Sequence, residues 1–157
     1  MTNNHILELI MKAVKLDKID VLKAYKLADK KITPEDVDDV LKESSDPEHV
    51  ILSDEGLELF LNGLILFKRG PSPDKKKKEP KKTHLTNNII LKKLKIALDL
   101  KDDDIIAIFT ADDTKMIKSQ LTAYFRREGH ENYRACSDAL LKSFIYGYGK
   151  YTASNIK

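Results

Sequence analysis

The chain repeats itself, without a gap, at an offset of 84 residues. The register begins at Thr2-Asn3-Asn4, which recurs as Thr86-Asn87-Asn88, and it is still held where Ser53-Asp54 recurs as Ser137-Asp138. Two copies are too few for a solenoid, so we expect two similar units that pack against each other about a pseudo-two-fold axis. Identical residues between these ends include Ile6/Ile90, Leu16/Leu100, Asp20/Asp104, Leu57/Leu141, Phe60/Phe144 and Gly63/Gly147.

Each unit has the apolar spacing of four helices and no persistent strand pattern. In the first unit we expect helices over roughly 4–16 and 17–29, and a third that begins at Thr33-Pro34. The Asn pair that opens each unit is expected to cap its first helix, and Ser53 and Ser137 to cap the fourth. The sequence therefore predicts an all-α protein of two tandem four-helix repeats.

The most apolar stretch is Leu57–Phe67, in which eight of eleven residues are large and apolar. These positions cover one helical face and spread around its sides, so this helix should lie at the centre of the fold. In the first helix, Leu9 and Met11 stand where the second unit has lysines. We expect this extra apolar surface to be covered by the other unit, by the C-terminal segment Tyr148–Lys157 or by a second chain. The candidate oligomer interface comprises Leu9, Met11, Leu59, Leu66 and Phe67.

Two matched glycines, Gly63 and Gly147, fall in the middle of the fourth helix of each unit. A glycine in mid-helix costs about 1 kcal/mol of helix stability relative to alanine. The close approach of a ligand or the close crossing of another helix would explain that cost. We favour the helix crossing.

A basic segment separates the two units. Gly70–Lys82 contains three prolines, six lysines and no large apolar residue, which is typical of an exposed tether. Residues 1–69 carry ten Lys and Arg against fourteen Asp and Glu, whereas residues 70–85 carry six lysines against two acids. Most of the basic excess therefore lies in the linker and not on a folded face. We predict repeats over 1–69 and 86–157, joined by a flexible Lys/Pro-rich linker over 70–85.

These features resemble the bacterial YehS-like family, whose function is unknown. The resemblance rests on Asn87–Ala97 (NNIILKKLKIA), on Phe60–Ile65 (FLNGLI), on Lys68-Arg69-Gly70 and on the tandem arrangement itself. It extends over essentially the whole chain. It implies a small all-helical cytoplasmic protein of two related halves, and it implies no activity.

Composition also favours the cytoplasm. The single cysteine, Cys136, cannot form an internal disulfide, which fits a reducing compartment. The longest apolar run has eleven residues, too few to span a bilayer. The polar start at Met1 lacks the apolar core of a secretory signal.

The sequence contains no recognisable catalytic, cofactor-binding or metal-binding motif. Cys136 and His130 suggest a nucleophile and its base, but the repeat places Leu52 and Asp46 at those positions. We therefore interpret Cys136 as a buried small residue. The acids within Asp99–Asp104 lack the spacing of a calcium loop and suit the start of a helix. We predict no enzyme activity, no cofactor and no metal.

Basic residues of the second unit are the remaining candidates for a functional surface. Lysines on a predicted exposed arc of its first helix, and arginines near its third, suit phosphate groups. Tyr133, Tyr146, Tyr148 and Tyr151 are available for stacking on bases. The alternative is a solvated face that complements the acidic first unit. The candidate contact residues are Lys92, Lys93, Lys95, Arg126, Arg127 and Arg134.

We therefore predict a non-enzymatic module that acts through protein–protein contacts, either with another protein or with a second copy as a homodimer. The surplus apolar surface of the first unit motivates this prediction. The alternative is nucleic-acid binding through the basic second repeat and linker.

Overall fold

The computed structural model describes residues 1–70 and 84–154, and within these ranges every regular element is an α-helix, as predicted. Residues 71–83, most of the predicted linker, and residues 155–157 lie outside the described residues. No helix in the described ranges is long and apolar enough to cross a membrane. The helices are α1 (Asn3–Val14), α2 (Lys18–Leu27), α3 (Pro34–Leu41), α4 (Asp54–Arg69), α5 (Asn87–Ala97), α6 (Asp102–Ala111), α7 (Lys118–Phe125) and α8 (Asp138–Ser154).

Hydroxyl side chains begin the first and fourth helices of each repeat. Thr2 and Thr86 each accept a hydrogen bond from the backbone N–H three residues ahead, at 3.1 and 3.2 Å. Ser53 and Ser137 do the same for α4 and α8, as predicted. The prediction that the Asn pair caps the first helix was wrong, because the preceding threonine has that role and the asparagines lie inside the first turn.

The second asparagine of each pair instead holds the loop that precedes the fourth helix. Asn4 Nδ2 donates to the carbonyl oxygens of Val40 and Val50, both at 2.8 Å, and its Oδ1 accepts from the Leu52 N–H at 2.9 Å. Asn88 makes the same three bonds to backbone groups 84 positions further on. One amide thus satisfies a carbonyl group at the end of the third helix and two backbone groups of the following loop.

The first asparagine of each pair ties the start of the first helix to the start of the fourth. Asn3 donates to Asp54 Oδ1 and Asn87 to Asp138 Oδ1, each at 2.7 Å. The hydrogen bond from Asn87 lowers the pKa of Asp138 below its usual value. These contacts recur between the repeats, in agreement with the predicted duplication.

The second and fourth helices of each repeat cross closely at a glycine. A Cβ placed on Gly63 of α4 would lie 1.8 Å from the Ala24 carbonyl oxygen of α2. A Cβ placed on Gly147 of α8 would lie 2.2 Å from the Ile108 carbonyl oxygen of α6. The predicted helix crossing is therefore present at both glycines. Each repeat also buries one pair of tilted rings, with centroids 5.9 and 5.7 Å apart, Tyr25–Phe60 and Phe109–Phe144.

The two repeats share one core because their outer helices pack reciprocally, α4 on α5 and α8 on α1. Lys93 of α5 donates to Asn62 Oδ1 of α4 at 2.7 Å, and its Nζ lies 3.6 Å from Glu58 Oε2. At the other contact, a Cβ on Gly149 of α8 would lie 3.6 Å from the Cα of Ala13 in α1. The predicted pseudo-two-fold axis requires such reciprocal pairing; the axis and the domain boundaries stay predictions.

The chain itself covers part of the surplus apolar surface of the first repeat. Leu9 is only 4% exposed, and Met11 and Leu59 are partly buried against the core. The cover on α1 comes from α8, which belongs to the other repeat and contains much of the C-terminal segment. Leu66 and Phe67, near the end of α4, are half-buried. An oligomer interface through these residues stays a prediction.

Candidate functional site

Cys136 is a buried thiol in the loop before α8. Its side chain belongs to the core, at 6% exposure, and its Sγ–H donates to the Ser137 carbonyl oxygen at 3.6 Å. Burial raises the pKa of the Cys136 thiol to about 12, so the thiol is protonated at neutral pH. A nucleophilic cysteine requires a lowered pKa. The geometry therefore agrees with the interpretation of Cys136 as a packed small residue.

We expect iodoacetamide to label Cys136 in the folded protein at least about a hundredfold more slowly than in the urea-unfolded protein at pH 8. Mass spectrometry of samples quenched over time measures both rates. Complete labelling of the folded protein within minutes would contradict the buried thiol.

The same burial predicts a loss of stability in alkali. The folded pKa values of Cys136 and of Tyr25 are both raised to about 12, from 9.0 and 10.0. A raised folded pKa stabilises the fold fully below the unfolded pKa and progressively less above it. The urea concentration at which half of the protein is unfolded should therefore fall as the pH rises from 9.0. A midpoint that stays constant up to pH 10.0 would contradict this expectation.

The aspartates at the start of α6 have structural partners. Asp102 Oδ1 accepts from Lys95 Nζ at 3.1 Å, and Asp104 Oδ2 accepts from the Lys101 N–H at 2.8 Å. Among the described residues, no three His, Cys, Asp or Glu side chains are grouped so that they could hold a metal ion. These aspartates lie in the first turn of α6, where negative charge stabilises the positive end of the helix dipole, as interpreted from the sequence.

The three lysines of α5 do not share one exposed arc. Lys93 faces α4, and Lys95 Nζ lies 4.5 Å from the centroid of the Phe125 ring. Lys92 is exposed. The predicted arc was wrong for Lys93 because its counterpart, Leu9, occupies the matching inter-repeat contact on α1. At this position both copies face the other repeat, although one has leucine and the other lysine.

The candidate arginines lie at the end of α7 and in the following loop, where Arg126, Arg127 and Arg134 are exposed. Contact of these residues with nucleic acid or with an acidic partner stays a prediction. Tyr148 and Tyr151 pack against the core as partly buried side chains, which limits their use for stacking on bases.

An apolar groove of about 230 Å³ opens in the first repeat between α2, α3 and the start of α4. Its inner wall includes Leu7 of α1 and Val37 of α3, both buried. Tyr25 of α2 closes one side, and its hydroxyl donates to the Gly56 carbonyl oxygen at 2.8 Å. Leu59, one of the predicted interface residues, also lines the groove.

Two residues in the wall of the groove are smaller than their counterparts in the second repeat. Val40 and Gly56 line it at the positions where the second repeat has Tyr124 and Leu140. Both of these larger side chains pack against the core. Leu52 and Leu59 differ in the opposite sense, because the second repeat has the smaller Cys136 and Ser143 at these lining positions.

Two exposed aliphatic side chains stand at the rim of this groove. Ile51 is 81% exposed and Val50 is 49% exposed. The second repeat has Ala135 and Arg134 at these positions. An aliphatic side chain gains about 2 kcal/mol when it is buried, so this rim is suited to contact with an apolar partner.

The charges around the groove are mainly negative. Asp36 and Glu55 line it and are exposed, with Lys30 as the one lysine among the lining residues. Glu35, next to Asp36 in the first turn of α3, is also exposed. A partner segment with basic residues beside its apolar anchor would match this rim.

Sequence reasoning found Leu59 but missed Val40, Gly56, Val50 and Ile51 as a set. The available signal was the size and polarity of the residues 84 positions apart. In the loop before the fourth helix, the sequence comparison above covers Leu52/Cys136 and Asp46/His130 but not Val50 and Ile51.

The fold and groove define an all-helical protein of two matched four-helix units that share a core, with an apolar groove in the first unit. The chain belongs to the family described as "Protein of unknown function (DUF1456)", whose sequence profile matches residues 3–70 and again residues 87–151. It is similar to the "Uncharacterized protein YehS" of Escherichia coli (strain K12), at 35% identity over 147 residues, or 94% of each chain. The resemblance stated from the sequence is confirmed. No solved structure matches the chain.

Proposed function

We propose that this protein is a non-enzymatic binding module that holds an aliphatic side chain of a protein partner in the groove of the first repeat. The supporting observation is the local divergence of two otherwise matched repeats. The first repeat has smaller wall residues, Val40 and Gly56, and exposed aliphatic rim residues, Val50 and Ile51. These four residues support an apolar binding surface, while Leu52 and Leu59 are larger than their counterparts Cys136 and Ser143.

The size of the groove favours a side chain over a small-molecule substrate. Ligand pockets commonly measure about 300–1,000 Å³. The groove, at about 230 Å³, falls below this range and suits one or two aliphatic side chains. Its acidic rim, with Asp36 and Glu55, selects a segment that carries Lys or Arg beside the anchor.

The Tyr25 hydroxyl in the groove wall suits binding rather than catalysis. The Tyr25 hydroxyl is already bonded to the Gly56 carbonyl oxygen, and burial raises its pKa to about 12. A general base at neutral pH needs a pKa near that pH. Tyr25 therefore acts as a fixed wall of the groove.

Selection from a displayed random-peptide library tests the proposal. The wild-type protein should enrich peptides with an aliphatic residue flanked by Lys or Arg. The double variant V50R/I51A, which installs the residues of the second repeat, should bind these peptides at least about tenfold more weakly. Ile19→Asp is the matched control, because Ile19 is 60% exposed, does not line the groove, and has Asp103 as its counterpart.

Two results would contradict the groove as the binding site. One is enrichment of no such peptide by the wild-type protein. The other is equal binding by wild type and V50R/I51A. Circular dichroism of each variant confirms that the helices are intact before binding is compared.

The second candidate function is nucleic-acid binding, which the exposed Arg126, Arg127 and Arg134 favour. It predicts binding of mixed DNA or RNA that weakens steeply with salt and is lost in R126E/R127E. The absence of a mobility shift at low salt would remove this function.

A further inference from the structure

We infer that the groove of one copy binds Ile117 of a second copy, so that the chain associates with itself. The inference rests on the proposed function of the groove and names its occupant. Ile117 is 52% exposed and immediately precedes α7. It is an aliphatic side chain of the kind that the groove accepts.

The second repeat has an isoleucine where a capping residue would be expected. In the first repeat the same position is Thr33, whose Oγ1 accepts from the Asp36 N–H at 3.1 Å and caps α3. Ile117 makes no side-chain cap for α7. A hydroxyl at this position stabilises a helix, and an exposed isoleucine does not. Binding of its side chain by another molecule would explain why it is there.

The charges beside Ile117 match the rim of the groove. Lys115 and Lys118 are exposed on either side of it. Asp36 and Glu55 line the groove, with the opposite charge. Ile117 with its flanking lysines is therefore the kind of basic, aliphatic segment that the groove is proposed to select.

The occupant must come from a second molecule. In the structure Ile117 is exposed in the second repeat while the groove of the first repeat is open. Two reciprocal contacts related by a two-fold axis would close an isologous dimer. A single head-to-tail contact would be heterologous and would extend into a chain of molecules.

Complementation between two variants gives the sharpest test. Ile117→Thr removes the occupant, keeps the groove and restores a capping hydroxyl, so it should fold. V50R/I51A changes the groove and keeps Ile117. Each variant alone should associate at least about tenfold more weakly than the wild type in sedimentation velocity. An equimolar mixture should regain a 1:1 complex, because one variant supplies the groove and the other supplies Ile117.

Further measurements test whether charge attraction contributes to the association. Association of the wild type should weaken as salt is raised, since exposed charges are screened. Ile19→Asp should associate like the wild type. A wild-type protein that stays monomeric at several hundred micromolar would overturn the inference. So would a mixture of the two variants that does not associate, or self-association that persists undiminished in Ile117→Thr, which would place the interface elsewhere.

The failure of this inference differs from the failure of the proposed function. If peptide binding depends on Val50 and Ile51 but the protein is monomeric, the inference fails and the binding module stands. If the wild type neither associates nor enriches peptides, both are wrong.

Discussion

Gly63→Ala should lower the unfolding free energy by about 3 kcal/mol, a large part of the roughly 5–15 kcal/mol that stabilises a typical domain. The added Cβ would lie 1.8 Å from the Ala24 carbonyl oxygen, far inside van der Waals contact. A backbone carbonyl cannot rotate away as a side chain can, so α4 must move off α2. Gly147→Ala should have the same effect, because its Cβ would lie 2.2 Å from the Ile108 carbonyl oxygen. Urea unfolding followed by circular dichroism measures both.

Gly149→Ala is the matched control, in the same helix as Gly147. Its Cβ would lie 3.6 Å from the nearest atom, the Cα of Ala13, which is ordinary contact. Alanine has the higher helix propensity, so this variant should equal the wild type or exceed it by up to about 1 kcal/mol. Equal stability of Gly63→Ala and Gly149→Ala would show that the helices are not held at the observed distance.

Asn88→Ala should also cost about 3 kcal/mol. The Asn88 amide donates to the carbonyl oxygens of Tyr124 and Arg134, at 3.0 and 2.7 Å, and accepts from the Cys136 N–H at 2.8 Å. Asn88 is only 8% exposed, so water reaches these groups poorly once the amide is gone. Each buried group left without a partner costs about 1 kcal/mol or more. The urea midpoint at neutral pH is the measurement.

Two comparisons separate this effect from a general sensitivity of the loop. Asn132→Ala, at an exposed position of the same loop, should leave the midpoint nearly unchanged. Asn88→Asp retains an acceptor for the Cys136 N–H but turns a second oxygen toward two carbonyl oxygens. The folded pKa of the new carboxyl should be raised, so part of the lost stability should return at pH values below its unfolded pKa. An Asn88→Ala variant as stable as Asn132→Ala would contradict the three-bond account.

The helical architecture followed from the sequence because it depends on local patterns. Apolar spacing and the Ser53 cap fix where α4 begins and which face it buries. Gly63 and Gly147 predicted the helix crossing because a glycine in the middle of a helix is itself a local signal of close approach. Asn4 and Asn88 were assigned to caps because capping is the common local role of asparagine, whereas their actual partners lie 36 to 48 residues away along the chain.

The groove could not be derived in this way, because its volume depends on side chains that four separate segments bring together. Val40 and Gly56 are unremarkable within their own helices. Comparison with Tyr124 and Leu140 shows that these two residues are smaller in the first repeat, but it does not show how the other wall residues pack beside them. The sequence also does not show that Lys93 faces inward, because its exposure depends on α4 of the other repeat.

The reciprocal packing of α4 on α5 and of α8 on α1 makes each half of the chain depend on the other. The fourth helix of each repeat lies on the first helix of the other. A polypeptide with one such unit would leave both of these helices uncovered, and a second identical molecule would cover them. Each half of the chain therefore supplies part of the cover for the other half's core.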